Sequence, residues 1–443
     1  MKTAASSPGV HRAWSMYDWA NSAYNLVITS TIFPAYYIAI TSSNEVGTLD
    51  YVDFFGWKVI NSALLNYALA FAYLVIAFLS PILSAVADVR GTKKRFMQLF
   101  CYLGAAACCG LFFFRASNIE LGIMLSVVAA IGYCGSLVFY NAYLPEIAPE
   151  SQQDKLSAQG FAYGYIGSVL LQAICLIFVF RMPEGDLAPR ISFLLVGLWW
   201  LGFSQITFRK LPLGQPSVSA ASGNVFSHGF RELRKVWAQI KQMPLLKTYL
   251  AAFFFYSMGV QTVMLAAAEF GKKEIYKVEN GKKVPMDTSD LIVTILLIQI
   301  VAIGGAMLMA RLSRVIGNIG VLIATVLVWI AICATAYFTH TATQFYLLAV
   351  LVGLVMGGIQ SLSRSTYSKL MPETRDTASF FSFYDVTEKM AIVIGMFSFG
   401  FIEHMTGNMR NAIFALAGFF LLGLIFLFRT QTKQNRHGKR IAI

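Results

Sequence analysis

The chain has 443 residues, 57% of them hydrophobic and only 13% charged, with a formal net charge of +13. Too few charged residues are present to cover a soluble protein of this length, so lipid must cover much of its surface. The positive excess reads as membrane topology rather than nucleic-acid binding, because no Lys/Arg stripe carries interleaved aromatics.

Twelve apolar stretches follow in chain order: Trp14–Ile40, Asn61–Ala87, Phe96–Phe114, Leu121–Leu144, Ala158–Phe180, Ile191–Phe208, Leu246–Glu269, Leu291–Ala310, Ile319–Phe338, Phe345–Tyr367, Ser379–Phe401 and Ala412–Phe428. Each supplies the ~20 residues that a helix needs to cross a bilayer core, and a span isolated in lipid must satisfy its own backbone hydrogen bonds. The expected fold class is therefore an all-α membrane protein of twelve transmembrane helices. Residues 1–13 are polar and lead into a permanent first span rather than a cleaved signal.

Span 1 carries a polar stripe of Asp18, Asn21, Ser22, Asn25 and Thr29 at three- and four-residue spacing. That spacing makes one helix face. Asn21 and Asn25 are candidate substrate contacts and Asp18 a candidate proton carrier. Against this, Asp18 near a helix start also suits the dipole there, and Trp14, Tyr17 and Trp19 suit an interfacial aromatic belt. Asp88 stands at the end of span 2, with Gly91 and Arg95 after it in a basic loop, and there it suits hydrogen bonds from a nearby helix N-terminus. Tyr140 and Asn141 close span 4 as further candidate contacts.

Residues 209–245 separate the sixth and seventh spans. They open with a Pro/Gly/Ser-rich linker, Leu211 to Gly223, and continue with Phe226, Phe230, Leu233, Trp237 and Ile240 at helical spacing, interleaved with Arg231, Arg234, Lys235 and Lys241. This pattern reads either as a basic amphipathic helix on the inner leaflet or as a plain tether between two bundles. Domain limits follow: a first bundle over 1–208, the linker over 209–245 and a second bundle with a basic tail over 246–443.

In the second half, Tyr256 and Gln261 on span 7 and Gln360 and Arg364 on span 10 are candidate substrate contacts. Arg364 suits either bidentate binding of an anion or snorkelling to the interface. The loop 270–290 holds five lysines offset by four acids, and its Asn280-Gly281 pair marks a hairpin. Span 11 is the sharpest signal. Asp385 and Lys389 are spaced i,i+4 with the acid first, Glu388 shares their face, and Lys389 lies ~15 Å along the helix from Ser379. Ionisable groups at that depth avoid lipid, so Lys389 is assigned to substrate binding and Asp385 and Glu388 to proton coupling, the alternative being a structural ion pair.

The six cysteines sit in apolar runs without a C-x-x-C pair, and the five histidines are scattered, so no metal site is expected. No G-x-x-x-x-G-K-[ST] motif occurs, and no cofactor is expected. With the N-terminus inside, the cytoplasmic segments carry more than twice the Lys and Arg of the outer loops. Both termini are therefore expected in the cytoplasm of a cell (inner) membrane.

An internal repeat underlies the chain. Arg314-Val315-Ile316-Gly317 stands 226 residues after Asp88-Val89-Arg90-Gly91. Tyr367-Ser368-Lys369-Leu370-Met371-Pro372-Glu373 stands 227 residues after Tyr140-Asn141-Ala142-Tyr143-Leu144-Pro145-Glu146. Both matches fall at equivalent span ends, so a six-helix unit is duplicated into two pseudo-symmetric bundles, a transporter arrangement with the site between them.

On these residues the sequence resembles the major facilitator superfamily. The loop Asp88 to Arg95 is similar to its signature after the second helix, with Ser84 where a glycine is usual and Arg314 where the second copy commonly has an acid. Tyr17-Asp18-Trp19-Ala20-Asn21-Ser22-Ala23-Tyr24, Gly160-Phe161-Ala162-Tyr163-Gly164-Tyr165 and Ser363-Arg364-Ser365 resemble the branch that includes the fungal vacuolar amino-acid effluxers linked to autophagy. The resemblance implies the major facilitator fold and secondary transport of a small polar solute, a zwitterionic amino acid fitting span 11, without nucleic acid as a partner. It also implies that Asp88, Gly91 and Arg95 are gating residues, Asp88 meeting the start of span 11 as a latch and Arg95 holding the loop. Protons are the expected coupling ion, sodium being the alternative. A transporter-like receptor without flux and a membrane-embedded enzyme are the competing functions.

Overall fold

The computed structural model describes residues 7–42, 50–182, 185–214, 225–279 and 281–441. Most of the linker from Leu211 to Gly223, Asn280, and the side chains of Phe226, Phe230 and Leu233 lie outside the described residues.

The first crossing is α1 (Pro8–Tyr24), a π-helical turn (Asn25–Ser30) and α2 (Ile32–Thr41). Ser7 caps α1 and Pro8 occupies its first turn, where a missing N–H costs nothing. A hairpin of β1 (Tyr51–Phe54) and β2 (Trp57–Ile60) turns at Phe55 and Gly56, both at positive φ, and leads into α3 (Asn61–Arg90). Then come α4 (Lys93–Gly110), α5 (Ile119–Ala142), the single turn α6 (Leu144–Ile147), α7 (Glu150–Arg181) and α8 (Leu187–Lys210). The linker helix α9 (Val225–Gln242) precedes α10 (Pro244–Glu274). A second hairpin, β3 (Tyr276–Glu279) and β4 (Lys282–Pro285), leads to α11 (Thr288–Phe338), α12 (Ala342–Leu370), α13 (Thr377–Thr406) and α14 (Met409–Ile441).

Among the described residues ten helical stretches are long and apolar enough to cross a membrane. One of them, the 51-residue α11, reverses at Gly317 (φ 75°, ψ 160°), a backbone that L side chains avoid, and so supplies two crossings. The twelfth crossing is α13, which Asp385, Glu388 and Lys389 make too polar for that count. In the first half α1 packs on α7 and α8, α4 on α5 and α8, and α3 on α5. In the second half α10 packs on α13 and α14, and α11 on α12 and α14. The seam between halves is α3 and α5 against α13, and α7 against α11 and α12. The contacts α3–α13 and α7–α11 are equivalents under the duplication, as two pseudo-symmetric six-helix bundles require.

Backbones touch where α4 crosses α5. A Cβ on Gly132 would lie 2.5 Å from the Gly104 Cα and nitrogen, and backbone cannot yield as a side chain can. Gly132→Val is therefore expected to destabilise the purified protein by about 1–3 kcal/mol, read as a lowered melting temperature.

Trp14 and Tyr17 are fully buried, which corrects the expectation of an interfacial belt for them. Trp19 instead packs against Trp199 and Phe203. In the linker helix the last turns of the apolar stripe meet protein in part. Val236 and Ile240 are buried, α9 packs on α3, and the Trp237 ring stacks on Phe383 of α13. Trp237 is otherwise 45% exposed, and Arg231, Arg234 and Lys241 are exposed. In the loop 270–290, Glu279 pairs with Lys282 across Gly281 at the hairpin turn. Hydrogen bonds to Asp290, Asp287 and Glu279 hold the Lys277 ammonium well above the usual lysine range, and Lys277 in turn depresses Asp287.

Candidate functional site

Four polar clusters lie along the seam. The first is on α13, where Lys389 Nζ is 3.2 Å from Asp385 Oδ1 and 2.9 Å from Glu388 Oε2. Gln261 of α10 donates to Glu388 Oε1 at 3.1 Å. Lys389 and Asp385 are buried, and Asp385 Oδ2 has no hydrogen-bond partner. Glu388 and Gln261 are half-buried. The Lys389 ammonium also lies 5.7 Å from the ring of Tyr73 on α3, so the cluster faces the first half and not lipid. Chemically, it offers a cation beside two carboxylates, one of them half open.

The second cluster joins α1 to α12. Arg364 is 3% exposed, and both terminal nitrogens reach Asp18 Oδ2 at 3.3 Å. Arg364 also donates to Asn141 Oδ1 (3.2 Å), Ser157 Oγ (2.9 Å) and the Ser157 carbonyl (2.9 Å). Tyr140 donates to the same Asp18 oxygen at 2.8 Å. Gly160 makes this approach possible, since a Cβ there would strike Asp18 and lie 3.0 Å from Arg364. Arg364 does not snorkel: every donor of its fork is used inside the protein. Nor does Asp18 sit in the first turn of a helix, because α1 begins at Pro8.

Two candidate contacts adjoin these clusters. Gln360, one turn before Arg364, accepts from Tyr165 at 2.6 Å. Asn21, one turn after Asp18, is buried with its amide nitrogen unpartnered. Asn25 opens the π-helical turn, a distortion frequent at functional sites. Tyr256 points elsewhere, bonding the Ser363 hydroxyl at 2.7 Å.

The third cluster closes the end of the seam that carries the termini. Asp88 accepts from the Ala378 N–H (3.3 Å), the Ser379 N–H (2.7 Å) and the Ser379 hydroxyl (2.8 Å) at the start of α13. An anion at a helix N-terminus meets unpaired donors and the positive end of the dipole. Gly91 caps α3 in the left-handed region. Arg95 is exposed, and its expected place is taken by buried Lys93, which meets Glu146 and, at 2.8 Å, Thr377. Sequence reasoning missed Lys93, and it missed a second closure on the other side of the seam. There Asp154 of α7 accepts from Lys369 Nζ (2.6 Å), Asn318 Nδ2 (2.8 Å) and Ser313 Oγ (3.1 Å). Arg314, the repeat's equivalent of Asp88, is exposed; the acid stands on the opposite partner. Charged residues near span ends are ordinary in sequence, so nothing there marked Asp154. Among the described residues no group of three or more His, Cys, Asp or Glu is placed to hold a metal ion.

A sequence profile described as "Vacuole effluxer Atg22 like" matches residues 7–440. The chain is 30% identical over 422 residues to the uncharacterized MFS-type transporter YxiO of Bacillus subtilis, covering 94% of this chain and 93% of that one. It is 24% identical to autophagy-related protein 22 of Eremothecium gossypii, over 91% of this chain and 87% of the other. Among solved structures it resembles the transporter FucP in the outward conformation (TM-score 0.68, 16% identity, 96% and 99% covered). It also resembles the proton:xylose symporter XylE (TM-score 0.68, 12% identity, 95% of each chain).

Proposed function

This chain belongs to the family of vacuole effluxer Atg22-like proteins and has the major facilitator fold, and from that premise we propose that the secondary transport it performs is of a small zwitterionic solute, an amino acid, exchanged for protons by alternating access. The observation that carries the reading is the α13 cluster. Three ionisable groups midway along a crossing face the seam, where Lys389 suits a solute carboxylate and Glu388, tethered by Gln261, suits its ammonium. A zwitterion matches both signs; a sugar matches neither. Asp385, with one oxygen unpartnered, is the proton carrier in this reading, together with Glu388.

Lys93, Lys94, Arg95, Arg209 and Lys210 lie at the end of the bundle that carries the termini, which supports a cytoplasmic position for that end in a cell (inner) membrane. The Asp88 and Asp154 contacts then close the cytoplasmic side. The family description, vacuole effluxer Atg22 like, supports efflux as the direction of transport.

Reconstitution in liposomes tests the proposal. Labelled amino acids are expected to move, faster under an imposed proton gradient and at the basal rate once a protonophore collapses it. Movement of sugars or nucleosides alone would sink the substrate assignment, and absence of any flux would return the receptor reading. Asp154 gives a second check. Asp154→Asn is expected to shift the protein towards the cytoplasm-open state, raising maleimide labelling of an added Ser361→Cys about tenfold, because a buried charge-assisted contact to Lys369 is lost.

A further inference from the structure

The Arg364 guanidinium belongs to the second half, yet it sits in a pocket made by the first. Asp18, Asn141 and Ser157 take its hydrogen bonds, and the rings of Trp14, Tyr140 and Phe161 lie 4.8, 5.5 and 4.3 Å from its centre. If α12 moves away from α1 and α7 to open the face that bears the termini, this pair must separate. A guanidinium and a carboxylate that now satisfy each other would then stand apart, each without its charge-assisted partner. One turn along α1, Asn21 already offers a buried amide nitrogen with no partner.

We propose that Asp18, Asn21 and Arg364 form the solute's receptor in the opposite state of the cycle. As the halves part, the solute carboxylate takes the place of Asp18 on Arg364, helped by the Asn21 amide, and Asp18, still held by the Tyr140 hydroxyl, receives the ammonium. This rests on the zwitterion reading above. The ion pair is then an internal stand-in for the solute: opening the empty protein breaks it uncompensated, whereas opening the loaded protein exchanges one pairing for two. Binding thereby favours the rearrangement, since the solute interacts differently with the two states.

The full chain in nanodiscs, carrying Ser361→Cys, tests this. Ser361 is buried between the halves and its carbonyl accepts from Ser157 at 2.7 Å, so maleimide reaches the cysteine only when that face opens. The probes are the twenty amino acids, their carboxamides and their N-acetyl derivatives, and the readout is the concentration at which each half-maximally changes the labelling rate. Asp18→Asn should erase a preference of at least tenfold for amino acids over N-acetyl derivatives and keep the preference over carboxamides. Arg364→Gln should do the reverse. If either single variant fails to fold, the neutral pair Asp18→Asn with Arg364→Gln is used, and it should lose both preferences. Unchanged preferences in these variants, beside a discriminating parent, would overturn the receptor and leave the zwitterion reading standing. A parent that discriminates neither group would overturn both.

Discussion

Lys389→Ala is expected to abolish transport while the protein still folds. The side chain is buried, holds Asp385 and Glu388 within 3.2 Å, and lies under Tyr73 across the seam. Removing one member of a buried ion pair ordinarily costs about 3–5 kcal/mol, because the survivor keeps its charge without a partner. Here Asp385 can bind a proton, and Glu388 is half-buried and keeps Gln261, so the variant has a way to shed that cost. The discriminating measurement combines flux with melting temperature. Lost flux with a nearly unchanged melting temperature supports a solute site. A large fall in melting temperature, restored in Lys389→Ala with Asp385→Ala, marks a structural pair, and normal transport by that double variant would remove Lys389 from the site.

Asp88→Asn should reduce transport about tenfold or more with expression and folding nearly intact. The carboxylate takes three hydrogen bonds at the start of α13, two of them from backbone N–H groups that the helix cannot satisfy itself. Asparagine is isosteric but loses the charge. A partly buried charge at a helix terminus is worth up to about 2 kcal/mol, and each 1.4 kcal/mol shifts a two-state equilibrium tenfold. Lys93, 3.9 Å from Asp88 within the first bundle, keeps Glu146 and Thr377, so stability should hold while the balance of states moves. Labelling of Ser361→Cys should rise in parallel with that of the Asp154 variant. Transport at the parental rate with unaltered labelling would deny Asp88 a latching role.

The fold was open to sequence reading because lipid imposes it. Long apolar runs admit only helices, and the matches at 226 and 227 residues admit only duplication. The α13 cluster was equally legible, since three ionisable residues within five positions of an apolar run must turn away from lipid. What sequence could not assign was the partner of each charge. Arg364 read as snorkelling or anion-binding because its distance from Pro372 was visible and Asp18, 346 residues away, was not. Trp14 and Tyr17 read as a belt because aromatics near a span end usually are one; only the crossing of α1 by α5 and α7 buries them under Tyr140. The duplication put a base, Arg314, at the position equivalent to Asp88 and so offered no second closure, but a latch needs only one carboxylate on either partner, and the fold placed it on Asp154. The apolar pattern and the repeat thus determined how many helices cross and how they are ordered. Which charges meet across the seam was decided by the tertiary structure, because burial without water makes every ionised group find a counterpart wherever the packing brings one.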